Sequence, residues 1–175
     1  MAAPHVAGAA ALLKQLHPSW KPRQIKSALM SASVNVYATP DRAQPATILA
    51  AGAGRLDLAR AENVSATFSP ASLSFGIKKL KKKDLTMTAE LDITNVASGE
   101  NVFTVTVEQL NSGDGVSVAP SLTTVTLAQG QSQTLTITIS ALRSAEKRDY
   151  TGFIVTDPSG LNLRVPYWVR LVKRQ

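Results

Sequence analysis

The chain has 175 residues, 44% of them hydrophobic, with a formal net charge of +7 and no cysteine. That size and apolar content suit one ordinary domain, or a small domain with an attached segment, and exclude a disordered chain. The lack of cysteine excludes a disulfide-stapled scaffold and a thiolate metal site, and the longest apolar stretch, Val6 to Leu13, is too short to cross a bilayer.

Residues 2 to 16 read as a helix, with Pro4 in the first turn, where its missing N–H costs nothing. From Val6 to Leu13 this helix has no polar face. A helix apolar all round calls for cover on every side, and the few short helices of this chain cannot supply it. Its small residues, Ala7, Gly8, Ala9, Ala10 and Ala11, suit the close approach of another backbone. Pro18 ends the helix. A second helix runs from about Pro22 to Ala32, with Ile25, Ala28, Leu29 and Ala32 as its apolar stripe; Lys21 stands where Ser or Thr would cap better. Residues 35 to 50 read as either an extended loop or a hairpin. Gly52-Ala53-Gly54 is a turn, and Arg55 to Glu62 reads as a short helix with Leu56 and Leu58 turned inward.

Near residue 63 the composition shifts from Ala and Leu to Thr, Val, Ser and Ile, and the period shifts to two. Leu85, Met87, Ala89, Leu91 and Ile93 alternate with polar residues. So do Phe103, Val105 and Val107, then Leu135, Ile137 and Ile139, and last Leu161, Leu163, Val165, Tyr167, Val169 and Leu171. Alternation means one buried and one wet face, as in antiparallel sheets. Turn signals separate the runs at Ser98-Gly99, Ser112-Gly113-Asp114-Gly115, Gln129-Gly130 and Asp157-Pro158-Ser159-Gly160. About seven short strands over roughly 110 residues is the pattern of an immunoglobulin-like sandwich. Without the Cys pair and core Trp of antibody domains, fibronectin type III-like is the better label. The expected fold is therefore mostly β: a helical segment, residues 1–62, followed by an antiparallel β-sandwich, residues 63–175.

Much of the charge excess sits in Lys78, Lys79, Lys81, Lys82 and Lys83. Such a run is either a polyanion site or a solvated loop between strands. No aromatic residue interleaves it to stack on bases, and no nucleic-acid-binding motif is present, so the solvated loop is the reading adopted and no nucleic-acid partner is expected. His5 and His17 are the two histidines. His5 reads as a structural hydrogen-bonding group in a first turn, and His17 as a cation at a helix C-terminus. Ser19 and Ser27 have no Gly-x-Ser-x-Gly elbow, Asp57 reads as a cap or ion-pair partner, and no metal-ligand spacing or phosphate-cradling glycine loop occurs.

Met1-Ala2-Ala3-Pro4-His5-Val6-Ala7-Gly8 resembles the segment around the nucleophile of the subtilisin-like serine proteases (subtilases, peptidase S8), where the pattern runs Gly-Thr-Ser-Met-Ala-x-Pro-His-Val-x-Gly. His17-Pro18-Ser19-Trp20-Lys21-Pro22-Arg23-Gln24-Ile25-Lys26-Ser27-Ala28-Leu29-Met30 resembles the helix that follows. Gly52-Ala53-Gly54-Arg55-Leu56-Asp57-Leu58-Ala59-Arg60-Ala61 resembles the end of that catalytic domain. Ala66 to Gly76 and Leu163 to Val169 look like the fibronectin type III-like domain that follows many secreted bacterial subtilases. The resemblance implies a C-terminal fragment of such an enzyme, with residues 1–62 a remnant of its α/β catalytic domain. It implies a secreted or cell-surface setting, protein or peptide substrates for the full enzyme, and the parent catalytic domain as partner, with no cofactor and no membrane span. No export signal is visible after Met1.

Subtilases use a Ser-His-Asp triad in chain order Asp, His, Ser. The resemblance places the nucleophile serine directly before Met1, and the aspartate, histidine and oxyanion asparagine further upstream. It assigns no catalytic, cofactor-binding or metal-ligating residue within the chain; His5 belongs to the motif but is not its catalytic histidine. The chain alone is expected to be inactive. Two alternatives accompany this reading: a non-enzymatic sandwich module that engages protein or polyanionic surfaces through the lysines, and one half of a split protease.

Overall fold

Helical and two-residue periods divide the backbone as they divide the sequence. In the computed structural model, which describes residues 2–80, 83–111, 113, 115–156 and 160–173, four helices precede nine strands. They are α1 (Ala2–Leu16), α2 (Pro22–Ser31), α3 (Ile48–Ala51) and α4 (Leu58–Ala61), then β1 (Ala66–Ser69), β2 (Leu73–Leu80), β3 (Leu85–Asn95), β4 (Asn101–Gln109), β5 (Val116–Pro120), β6 (Thr124–Leu127), β7 (Ser132–Ala141), β8 (Asp149–Thr156) and β9 (Leu163–Lys173). Met1, Lys81, Lys82, Ser112, Asp114, Asp157 to Ser159, Arg174 and Gln175 lie outside the described residues.

The helix ends show why they stop where they do. At the C-terminus of α1, the Lys14 ammonium donates to the carbonyls of Pro18 (2.6 Å) and Trp20 (2.9 Å), placing a cation where the helix presents unpaired carbonyls. At the start of α2, Gln24 Oε1 accepts the Lys21 N–H at 2.9 Å. The third helical residue thus satisfies a donor that Lys21 cannot serve with its own side chain. Residues 35 to 50 form the hairpin of the two alternatives: Ala38 N–H donates to Gln44 O (2.8 Å) and Ala46 N–H to Val36 O (2.7 Å), before the single turn of α3.

The helix expected over Arg55 to Glu62 is shorter than its sequence suggested. Arg55 is held extended, exchanging backbone hydrogen bonds with Val34 at 2.8 and 2.9 Å. Helix α4 begins only at Leu58, capped by Asp57, whose Oδ1 accepts the Arg60 N–H at 3.2 Å. Gly54 makes the preceding crossing feasible: its φ is +130°, and a Cβ there would stand 2.3 Å from the Val34 carbonyl oxygen.

The strands form two sheets, ordered β1-β3-β7-β5 and β2-β9-β8-β4-β6. Their inner faces supply the core. Leu91, Ile93, Leu135, Ile137 and Ile139 of one sheet and Phe103, Val105, Ile154, Leu163, Val165, Tyr167, Val169 and Leu171 of the other are almost completely excluded from solvent. The arrangement is an immunoglobulin-like β-sandwich with two departures from the sequence reading. First, β2 pairs with β9 in parallel. The chain leaves β1 in one sheet and joins the other at its edge, so no hairpin links β2 to β9 and nothing imposes the antiparallel direction. Second, β5 and β6 are separate strands, β5 paired with β7 and β6 with β4. The chain changes sheets over residues 121–123, a jump that alternation alone does not reveal.

On the outer face of the five-stranded sheet, Arg170 grips Asp149 with both arms, Nε to Oδ1 at 2.8 Å and Nη2 to Oδ2 at 2.6 Å, and Trp168 Nε1 donates to the same Oδ1 at 2.8 Å. The Arg170 hydrogen bonds hold the Asp149 carboxyl below its ordinary value; partial burial opposes them and the Trp168 bond adds to them. A depressed folded-state value means that the stabilisation is present above the ordinary Asp value, near ~3.9, and is lost as pH falls through the folded-state value. Asp149→Asn should cost about 1 kcal/mol at neutral pH. In urea titrations the gap from wild type should narrow steadily below about pH 5; a gap unchanged down to strong acid would assign the contribution to packing instead.

Candidate functional site

The segment with the nucleophile-like motif is α1 and what it touches. Only Ala9 and Leu13 of this helix are buried, both on the side that meets the shared core with Trp20, Ile25, Ala28 and Leu29. Val6, Leu12 and Leu16 remain 46%, 48% and 56% exposed. The all-round apolar character read from the sequence therefore finds cover on one side only.

The polar residues weighed from the sequence are dispersed. His5 lies exposed in the first turn of α1. The His17 ring stacks flat on Trp20, with centroids 3.8 Å apart and planes 7° from parallel, and its Nε2 lies 3.4 Å from the Glu62 carbonyl. Ser19 is exposed in the loop between α1 and α2. Asp57 caps α4. Ser27 is fully buried, and its Oγ accepts the Phe68 N–H at 2.6 Å. Strand β1 is the edge of its sheet, so this bond satisfies a strand donor that no neighbouring strand can reach, and α2 closes that edge. Asp57, His17 and Ser27 thus serve as cap, stack and tether. No group of three or more His, Cys, Asp or Glu side chains that would hold a metal occurs among the described residues.

The lysine run does not lie wholly in a loop, as the sequence suggested. Lys78 and Lys79 belong to β2, at the edge of the five-stranded sheet, with Lys78 half-buried and Lys79 exposed; Lys83 is exposed beyond it. Charges on an edge strand discourage pairing with another chain, which accounts for these two lysines without a ligand.

A second locus was not legible in the sequence. A groove of about 880 Å³ runs between the 33–42 segment and the outer face of the five-stranded sheet. Thr106 and Glu108 of β4, Val155 of β8 and Arg164 of β9 contribute to one side, and Arg42, Arg55 and Arg60 line it as well. Two of the four arginines are anchored by two hydrogen bonds each. Arg164 donates to Asn35 Oδ1 and, at 2.8 Å, to the Ser33 carbonyl, and its guanidinium lies 4.5 Å from the centre of the Phe153 ring. Arg60 donates through Nε to Ala32 O at 2.9 Å and through Nη2 to Asn162 O at 3.2 Å. Burial draws the Arg164 guanidinium below its ordinary value, the charge of Glu108 opposes this, and that of Arg60 adds to it. No spacing unites positions 42, 55, 60 and 164; only the fold does. The one local signal is Arg164 at a wet position of an otherwise apolar alternation.

The family model described as the subtilase family matches residues 1–54. The minor extracellular protease Vpr of Bacillus subtilis is 32% identical over 119 residues, 68% of this chain and 14% of that protein. The subtilisin-like protease SBT1.6 of Arabidopsis thaliana is 44% identical over 70 residues, 36% of this chain and 9% of its own length. Through these residues the chain belongs to the subtilases, and it spans less than a sixth of either relative. Among solved structures, a PapD-like domain of human CEP192 aligns at a TM-score of 0.44 with 14% identity, over 63% of this chain and 87% of that one. No helix among the described residues is long and apolar enough to cross a membrane.

Ser27→Ala would strand the Phe68 N–H without a partner in a buried setting, at a cost of about 1–3 kcal/mol. Urea unfolding should register that loss, and the Phe68 amide should exchange with solvent faster than in the wild type. Unchanged stability would show that the contact between α2 and β1 rests on apolar packing alone.

Proposed function

We propose that the chain is the C-terminal portion of a secreted subtilisin-like serine endopeptidase. Residues 1–62 are the last part of its catalytic domain, and residues 63–175 are a fibronectin type III-like accessory domain. The observation that carries this reading is α1: it has the sequence that follows a subtilase nucleophile, and three large apolar side chains on it lack cover. Such a surface fits the parallel sheet of a subtilase catalytic domain, whose central helix is buried on all sides. The extracellular protease Vpr, similar over 68% of this chain, supports the same setting. In the full enzyme to which this chain is assigned, a serine directly upstream of Met1 attacks the peptide carbonyl, and an upstream histidine and aspartate move and orient the proton. The sandwich braces the end of the catalytic domain and shapes the approach of large protein substrates. No catalytic role is assigned to His5, His17, Ser19, Ser27 or Asp57.

The 175-residue chain should neither hydrolyse fluorescein-labelled casein nor react with a fluorophosphonate probe for activated serines. A protein extended upstream in the same reading frame should do both, with the label on the serine preceding Met1. Labelling of the 175-residue chain would overturn the assignment of its roles, and an upstream frame with no such serine would overturn the parentage.

A further inference from the structure

We propose that the groove between the 33–42 segment and the outer face of the five-stranded sheet binds an acidic peptide segment, whose carboxylates are taken by Arg42 and Arg55. The proposal stands apart from the hydrolytic reading above, because every residue it uses lies in the described structure.

Four guanidinium groups and a single carboxylate, Glu108, line the groove. The four cations divide by how their donors are used. Arg60 and Arg164 are each anchored by two hydrogen bonds, to carbonyls and to Asn35, so they build the walls. The Arg55 guanidinium, exposed at the groove, forms no hydrogen bond or ion pair among the described residues. Through its guanidinium Arg42 makes, among the described residues, a ring contact alone, 5.9 Å from the centre of the Tyr37 ring. It is presented by a turn that Asp41 braces, with Oδ1 accepting the Ala43 N–H at 3.1 Å, and its own φ is +58°. Two planar forks with uncommitted donors therefore face a cavity already made electropositive by two immobile cations.

The chemistry of the occupant follows from three features. Guanidinium forks match carboxylates in a bidentate geometry that a compact ammonium cannot reproduce. The volume, about 880 Å³, stands near the upper end of ligand sites and exceeds what a single small anion fills. The lining also carries Val34, Val36 and Val155, apolar surface suited to the stems of side chains. A single-stranded nucleic acid would want open aromatic platforms, whereas the one aromatic ring of the lining, Tyr37, already faces Arg42. Glu108, the one carboxylate of the lining, weakens the attraction of the four cations for carboxylates without cancelling it.

Fluorescence anisotropy with fluorescein-labelled hexaglutamate, and hexaglutamine as the neutral control, tests this on the 175-residue chain. Hexaglutamate should bind and hexaglutamine should not. The double variant Arg42→Gln/Arg55→Gln should weaken binding about tenfold or more, the equivalent of one or two lost charge-assisted bonds. Lys78→Gln/Lys79→Gln, on the edge strand outside the groove lining, should leave binding unchanged. Glu108→Gln should tighten it several-fold by removing the one opposing charge. Wild-type binding by the arginine double variant, or an equal loss in the lysine variant, would overturn the proposal. So would an oligothymidylate that binds the groove more tightly than hexaglutamate. Thermal melts check that the variants fold; if the arginine double variant does not, the Glu108→Gln result decides, and failure to tighten binding overturns the proposal.

Discussion

Two arginines tie the helical segment to the sandwich beside the shared core, and the groove between the two depends on them. Arg164 reaches from an outward position of β9 to Asn35 and the Ser33 carbonyl, while Arg60 reaches from α4 to the carbonyls of Ala32 and Asn162. Each bridges two parts of the chain that no ladder connects. A lysine would supply one mobile charge; a guanidinium supplies several donors in a fixed plane, so one side chain sets both distance and orientation. The carbonyls they satisfy belong to loops or helix ends, which lack partners of their own. The groove is the space left between the surfaces so joined.

The helical segment contributes unequally to the fold. Its second helix is used on several sides: Ile25, Ala28 and Leu29 enter the shared core, and Ser27 closes the edge of β1. Its first helix gives only Ala9 and Leu13 to that core. Burial of a large aliphatic side chain is worth about 1.5–3 kcal/mol. Leaving Val6, Leu12 and Leu16 in water therefore forgoes several kcal/mol that a covering surface would return. Small residues between them, Ala7, Gly8, Ala10 and Ala11, keep that side of the helix thin enough for a backbone to approach. Such a face is costly when bare and efficient when covered, as expected of a helix from the interior of a larger domain.

How much of this was readable beforehand varied with the range of the interaction. Helix α1 was legible because apolar spacing and Pro18 are local. The inward sets of β3, β4, β7 and β9 were legible because alternation is local too. The start of α4 was misplaced, since Arg55 is diverted into pairing with Val34, a contact across 21 positions that propensity does not encode. The parallel pairing of β2 with β9 and the change of sheet between β5 and β6 were hidden for the same reason. Asn95 shows the limit most clearly. In sequence it is one polar residue at the end of a strand. In the fold it is fully buried, donating to the carbonyls of Gly99 and Leu127 and accepting the Ala97 N–H, so one amide ties the β3–β4 turn to β6. The motif around Met1 to Gly8 was the exception: its meaning comes from the chemistry of a family, and the backbone adds only that the helix following it is half uncovered.

The charge excess of +7 first pointed toward a lysine run, yet the fold assigns its cations to different tasks. Lys14 neutralises carbonyls at a helix end. Arg170 is matched by Asp149. Lys78 and Lys79 guard an open strand edge, and Arg60 and Arg164 fasten loops. Among the cations without such duties, Arg42 and Arg55 share one concave surface with the two fasteners. Electrostatic focusing depends on cations that converge on a cleft with few opposing charges; the groove meets that condition, whereas Lys78 and Lys79 sit on an edge strand outside the groove lining. The density of charge in the sequence was therefore a poor guide to where an anion would be held; the geometry of the uncommitted donors is a better one.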